Sequence, residues 1–69
     1  MNTTYEEFLA CLKRYEVGSI IRIYTYDLEN YSRAAADRYI GISSDRGKMY
    51  FTVLKKPEEW EIMCRAYFG

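Results

Sequence analysis

Arginine and tyrosine alternate with isoleucine in one short stretch, and this pattern is the part of the sequence best suited to binding chemistry. Arg22, Tyr24 and Tyr26 occupy every second position, and Ile21 and Ile23 fall between them. Because side chains alternate between the two faces of a strand, the arginine and the tyrosines share one face and the isoleucines share the other. Tyrosine and arginine bury a large area on binding while keeping polar groups, so the pattern predicts a surface that contacts another molecule.

Catalytic chemistry is poorly supported by the residue types present. The 69 residues include no histidine, the commonest general base and the usual activator of a catalytic serine or cysteine. The carboxylates of Glu58, Glu59 and Glu61 lie only one or two positions apart, so their side chains diverge on a helix. The sequence also contains no phosphate-binding loop, dinucleotide fingerprint or nucleophile motif. We therefore expect a protein that is not an enzyme, and we assign no catalytic, cofactor-binding or metal-ligating residue.

The two cysteines, Cys11 and Cys64, are too few for a disulfide framework and lack Cys-x-x-Cys spacing. Free cysteine is among the most buried residue types, so we expect two buried, unreactive thiols in a cytoplasmic protein. Near the N-terminus, Glu6 and Glu7 stand where a secretion signal needs positive charge followed by an apolar run. The sequence therefore predicts no export and no membrane partner.

The charge balance limits the class of binding partner. Ten basic and ten acidic residues cancel overall, whereas residues 18–56 contain seven basic and four acidic residues, a local net charge of +3. Without an overall basic excess, the counterion release that drives nucleic-acid binding is weak. The local positive charge keeps nucleic acid as an alternative partner.

The sequence patterns predict the helices and strands that position this surface. Together they form a single α+β domain spanning residues 1–69, in the order α-β-β-β-α. We expect a three-stranded antiparallel meander flanked by an N-terminal and a C-terminal helix, because consecutive strands usually lie side by side. Thr4 and Glu7 form a capping box, and Gly18 is placed to end a first helix over residues 5–16.

The first strand is predicted over residues 19–26, and residues 38–56 read as a hairpin with turn residues near Gly47. Pro57 is placed to begin the second helix. Apolar residues at steps of three and four predict its buried stripe: Trp60, Met63, Cys64 and Tyr67. Residues 28–37 contain no β-branched residue, and a loop, a helical turn and the distal part of a long hairpin all remain open for them.

If both helices pack on one face of the sheet, the other face is aromatic. The predicted members of that face are Ile20, Arg22, Tyr24, Tyr26, Tyr39, Gly41, Tyr50, Thr52 and Leu54. The candidate partner-binding residues among them are Arg22, Tyr24, Tyr26, Tyr39 and Tyr50. Such a face is suited to contact with a larger protein target.

These observations predict a non-enzymatic protein-binding module, a small inhibitor or adaptor that occludes a larger protein. Its size and its lack of catalytic groups are typical of accessory proteins of phages and mobile elements, including anti-CRISPR-like inhibitors of bacterial immune nucleases. One alternative is binding of single-stranded nucleic acid or a nucleotide by stacking on the same face. The other alternative is a structural homodimer in which a second copy covers the tyrosines.

Overall fold

The computed structural model describes residues 3–24 and 27–68, and within these ranges the chain forms three helices and three strands. The elements follow one another as α1 (Tyr5–Leu12), β1 (Ile20–Arg22), α2 (Leu28–Ala36), β2 (Ile40–Asp45), β3 (Lys48–Val53) and α3 (Glu59–Tyr67). The predicted α+β class, the three antiparallel strands and the two terminal helices are confirmed. The structure adds α2, which resolves residues 28–37 as a helix rather than a loop or a hairpin.

The strand order is β1-β3-β2, so the predicted meander order is wrong. The hairpin of β2 and β3 forms as expected, but β3 also pairs with β1 and therefore lies in the centre of the sheet. Both outer strands are antiparallel to β3, so β1 and β2 run parallel to each other. Parallel strands need a long crossover connection, and the segment that contains α2 supplies it.

The C-terminal end of α2 determines where the chain enters the core. Arg38 adopts a left-handed conformation with φ of 67°. The N–H of Arg38 donates to the Ala35 carbonyl at 3.1 Å, and the N–H of Tyr39 donates to the Ala34 carbonyl at 2.9 Å. This pattern is a Schellman motif, in which the residue after the left-handed position packs back against the last turn. Ala34 and Tyr39 are accordingly both buried.

The core lies between the helices and one face of the sheet. Its buried members are Tyr5, Phe8, Leu9, Leu12, Ala34, Tyr39, Ile40, Phe51, Val53 and Ile62. The predicted capping box is present at the start of α1, where the Glu7 N–H donates to Thr4 Oγ1 at 3.1 Å. The helix ends at Leu12 rather than at residue 16, because the next three N–H groups donate to carbonyls three residues back, in tighter turns.

The orientation of α3 differs from the sequence prediction. Trp60 is 64% exposed, and Met63, Cys64 and Tyr67 are also exposed, so the predicted buried stripe is wrong. The side of α3 that faces the core carries Glu61 and Ile62 instead. Glu61 turns inward because its carboxylate accepts hydrogen bonds from groups in or beside the core. No helix in the described ranges is long and apolar enough to cross a membrane.

The predicted start of the second helix at Pro57 and the predicted burial of both cysteines are also wrong. Helix α3 begins at Glu59 with Glu58 as its N-cap, and Pro57 is buried in the preceding segment. Cys11 and Cys64 are both exposed, against the prediction of buried thiols, because Cys64 lies on the exposed side of α3 and Cys11 borders an open cavity beside α1. Each thiol is therefore open to reagents in solvent.

Candidate functional site

The sheet face opposite the helices is the candidate binding surface, called the open face below. The cross-strand register places its members together, because Arg22 lies opposite Tyr50, and Ile20 and Gly41 both lie opposite Thr52. By register and contact, the open face comprises Ile20, Arg22, Gly41, Ser43, Tyr50, Thr52 and Leu54, and Tyr24 adjoins it just beyond the end of β1, where its ring stacks on Arg22. Ile20, Tyr24 and Leu54 are exposed, whereas Arg22, Tyr50 and Thr52 are half-buried. Within the described residues, the helical core packs on the other face of the sheet.

Arg22 and Tyr24 form the most prominent feature of the open face. The guanidinium Cζ lies 4.8 Å from the centroid of the Tyr24 ring, within the range of a cation–π contact. Tyr24 is itself 77% exposed, so the stacked pair stands at the surface. Tyr50, directly across from Arg22 on the central strand, extends the aromatic area. These three residues are the sequence-predicted candidates that the structure brings together.

The Nε atom of Arg22 is buried and has no hydrogen-bond partner within the described ranges. Arg22 is also absent from the ion pairs formed by those residues. A buried donor without an acceptor costs about 1–3 kcal/mol of stability. Because Arg22 is in no ion pair of the described residues, the rest of its guanidinium can donate to a carboxylate or carbonyl oxygen of a bound molecule.

The predicted position of Tyr39 is wrong, because the structure places this residue in the core and not on the open face. Its side chain is 1% exposed, and its hydroxyl donates to Glu61 Oε2 at 2.8 Å. The cause is the Schellman motif at Arg38, which turns the following residue back against α2. We therefore remove Tyr39 from the candidate partner-binding residues. Tyr26 lies outside the described residues, and its predicted role stays a prediction.

Electrostatics confirm a structural role for the Tyr39 and Glu61 pair. Burial raises the pKa of the Tyr39 phenol above its ordinary value. Burial alone would raise the pKa of Glu61, yet hydrogen bonds from Tyr39 and Lys55 outweigh it and hold that pKa below its ordinary value. The hydrogen bond to Glu61 in turn raises the pKa of Lys55. The carboxylate is thus stabilised in its charged form by donors that surround it.

Two further parts of the surface, one residue and one helix side, are seen in the structure and were not predicted from the sequence. Ser43 lies opposite Tyr50 on the open face, and only the strand register reveals it. The outer side of α3 is a second exposed apolar surface, formed by Trp60, Met63, Cys64, Tyr67 and the adjoining Phe68. The sequence periodicity identified most of this stripe correctly but assigned it to the core.

The open face and its edge combine aromatic, cationic and apolar side chains. In residues 3–24 and 27–68, no group of three or more cysteine and carboxylate side chains is placed to hold a metal ion. The chain matches no protein-family model, no curated protein and no solved structure. The function of this protein is therefore inferred from the geometry of the open face.

Proposed function

We propose that this protein is a non-enzymatic binding module, a small inhibitor or adaptor that occludes part of a larger protein with its open face. The observation that carries the proposal is the stack of the half-buried Arg22 and the exposed Tyr24 at the edge of the open face, with Tyr50 across from Arg22 on a sheet face that the described helices leave uncovered. Tyrosine and arginine dominate the binding energy of many protein interfaces, because they bury large areas with few rotatable bonds.

Apolar neighbours favour a protein partner over nucleic acid. Ile20 and Leu54 are exposed on the open face, with Leu54 beside Gly41, and they supply the apolar area typical of the centre of a protein interface. Of the strand residues on this face, Arg22 is basic, and Lys48 at the hairpin end lies opposite Asp45. Such a surface offers few contacts to phosphates, which supply most of the affinity in nucleic-acid binding.

An inhibitor carried by a phage or a mobile element fits this proposal, with a host defence enzyme such as an immune nuclease as its target. A domain of this size blocks a larger enzyme by covering its surface and needs no catalytic group of its own. An interface of standard size buries about 800 Å² on each partner, an area that one sheet face with its flanking residues can supply.

The decisive experiment compares matched tyrosine variants against the captured target. The tagged protein is used to purify a partner from host lysate under high-salt washing, and affinities are then measured with the purified partner. Tyr24→Ser with Tyr50→Ser should weaken binding at least ~10-fold, since these side chains are the proposed anchors. Tyr67→Ser, on the outer side of α3, is the matched control because Tyr67 is also exposed.

The control variant separates the two exposed surfaces. Retention of full affinity by the double open-face variant would contradict the proposal, and loss of affinity in Tyr67→Ser alone would move the interface to α3. The nucleic-acid alternative predicts a different result, namely binding of a short single-stranded oligonucleotide that weakens steeply with salt. Purification of the protein as a homodimer without another partner would support the structural alternative.

A further inference from the structure

A cavity of about 360 Å³ lies between α1, β1 and the start of α2, beside the edge strand of the sheet. Its walls include Phe8, Tyr15, Tyr31 and Phe51, and Cys11 also lines it. Arg22 and Tyr24 border the cavity from the edge strand β1, so this stacked pair lies between the cavity and the open face. A volume of this size falls within the range of small-molecule sites in proteins. We infer that this cavity binds a small, flat aromatic anion such as an aromatic carboxylate.

The aromatic walls select a flat ring. The ring centroids of Phe8 and Tyr31 lie 4.8 Å apart at 89°, and those of Tyr15 and Phe51 lie 6.0 Å apart at 80°. Tyr31 and Phe51 connect the two pairs at 5.5 Å. Such edge-to-face clusters present both ring faces and ring edges, and a further aromatic ring gains favourable contacts with either. Residues Leu12 and Ile21 complete the apolar lining.

Arg22 selects the charge of the ligand. Arg22 is the cationic residue of the lining, and its guanidinium is in none of the ion pairs formed by the described residues. The one acidic residue among the lining side chains is Asp27, whose Oδ2 already accepts a hydrogen bond from Asn30 Nδ2 at 2.8 Å. Asp27 is thus held by Asn30 and forms no ion pair with Arg22 among the described residues, so the guanidinium can form charge-assisted hydrogen bonds with a ligand carboxylate.

The two cysteines supply a matched pair of reporters for this site. Cys11 is exposed and lines the cavity, whereas Cys64 is exposed on α3 beside a separate depression lined by Trp60 and Phe68. A ligand in the cavity should shield Cys11 from a thiol reagent and leave Cys64 accessible. Neither reporter depends on the identity of the protein partner.

The experiment measures thiol labelling by Ellman's reagent, with 2-naphthoate as the probe. A probe of this size is expected to bind with a dissociation constant on the order of 1 mM. At about three times that concentration, labelling of Cys11 in the Cys64→Ser protein should slow about fourfold, by mass action. Labelling of Cys64 in the Cys11→Ser protein should keep its rate. Unchanged labelling of Cys11, or equal slowing of both cysteines, would overturn the inference.

Two further arms test the charge. The cation 2-naphthylmethylammonium has the same ring and should protect Cys11 far less than 2-naphthoate does. Arg22→Gln should remove the protection by 2-naphthoate, whereas Arg22→Lys, which keeps the positive charge, should retain part of it, provided that both variants show the wild-type circular dichroism spectrum. Equal protection by the cation, or full protection in Arg22→Gln, would refute selection of an anion by Arg22.

Discussion

The hydroxyl of Tyr39 donates a 2.8 Å hydrogen bond to Glu61 Oε2, and this bond links the end of α2 to the first turn of α3. Two other donors reach the same carboxylate, the Lys55 Nζ at 3.0 Å and the backbone N–H of Glu58 at 3.2 Å. Glu61 therefore collects three donors, one from the residue before β2 and two from the segment between β3 and α3. This arrangement decides which side of α3 faces the core.

Removal of the Tyr39 hydroxyl should destabilise the fold. Tyr39→Phe keeps the ring in the core but takes one donor away from a buried carboxylate, which should lower the free energy of unfolding by about 1–3 kcal/mol. Urea denaturation followed by circular dichroism measures the change. Tyr24→Phe is the control, because the exposed Tyr24 ring lies at the surface and its change should stay within about 0.5 kcal/mol. Equal stabilities for the two variants would contradict the buried Tyr39 and Glu61 bond.

The stability of the protein should fall in acid, partly because of Glu61. Its pKa in the folded state lies below the ordinary value of 4.5, so near pH 4 the unfolded chain binds more protons than the folded one. The contribution of Glu61 is therefore complete above pH 4.5 and is lost as the pH falls through the lower folded pKa. Glu61→Gln should show a smaller decrease in the free energy of unfolding between pH ~5 and ~3 than the wild type.

The acid experiment needs a control for carboxylates in general. Glu29→Gln, which replaces an exposed residue in the first turn of α2, is the matched control and is unfolded over the same range of pH. Glu7 contributes some remaining dependence, because hydrogen bonds from Thr4 lower its pKa as well. If Glu61→Gln kept the full wild-type slope, the folded carboxylate would not be the stabilised anion described above.

The orientation of α3 can be tested with two residues two positions apart. Ile62 is 4% exposed and packs in the core, so Ile62→Ala should cost about 2–5 kcal/mol in the free energy of unfolding. Trp60→Ala should cost less than about 1 kcal/mol, because the ring lies at the surface. Thermal or urea unfolding measures both. The reverse order would restore the buried stripe expected from the sequence.

Local patterns of the sequence predicted the elements better than their arrangement. The capping box at Thr4 and the hairpin turn before Lys48 are signals within a few residues, and both appear in the structure. Strand order is not a local property, since it depends on whether the connection between β1 and β2 forms a helix. The absence of β-branched residues in residues 28–37 was compatible with the helix that forms but did not require it.

The candidate site was also predictable only in part, because local patterns show in the sequence whereas the packing of distant elements does not. The alternation around Arg22 and the position of Tyr50 in the hairpin predicted that these two residues share one face, and the register pairs them. Tyr24 lies beyond the end of β1, and its ring stacks on Arg22. Tyr39 was misplaced because the left-handed residue before it is Arg38, where a glycine would have indicated the turn. Trp60 was misplaced because periodicity identifies the apolar side of a helix but not whether another element covers it.

Arg38 should be a site where the fold is easily stabilised. A non-glycine residue in the left-handed region suffers steric strain between Cβ and its own backbone, and Arg38 has φ of 67°. Arg38→Gly should raise the free energy of unfolding by about 0.5–1 kcal/mol, because relief of that strain exceeds the entropy cost of glycine. Arg38→Val should instead lower it, since a β-branched side chain fits this conformation poorly. Urea denaturation of both variants measures the difference, and a Val variant as stable as the Gly variant would show that the left-handed conformation does not form.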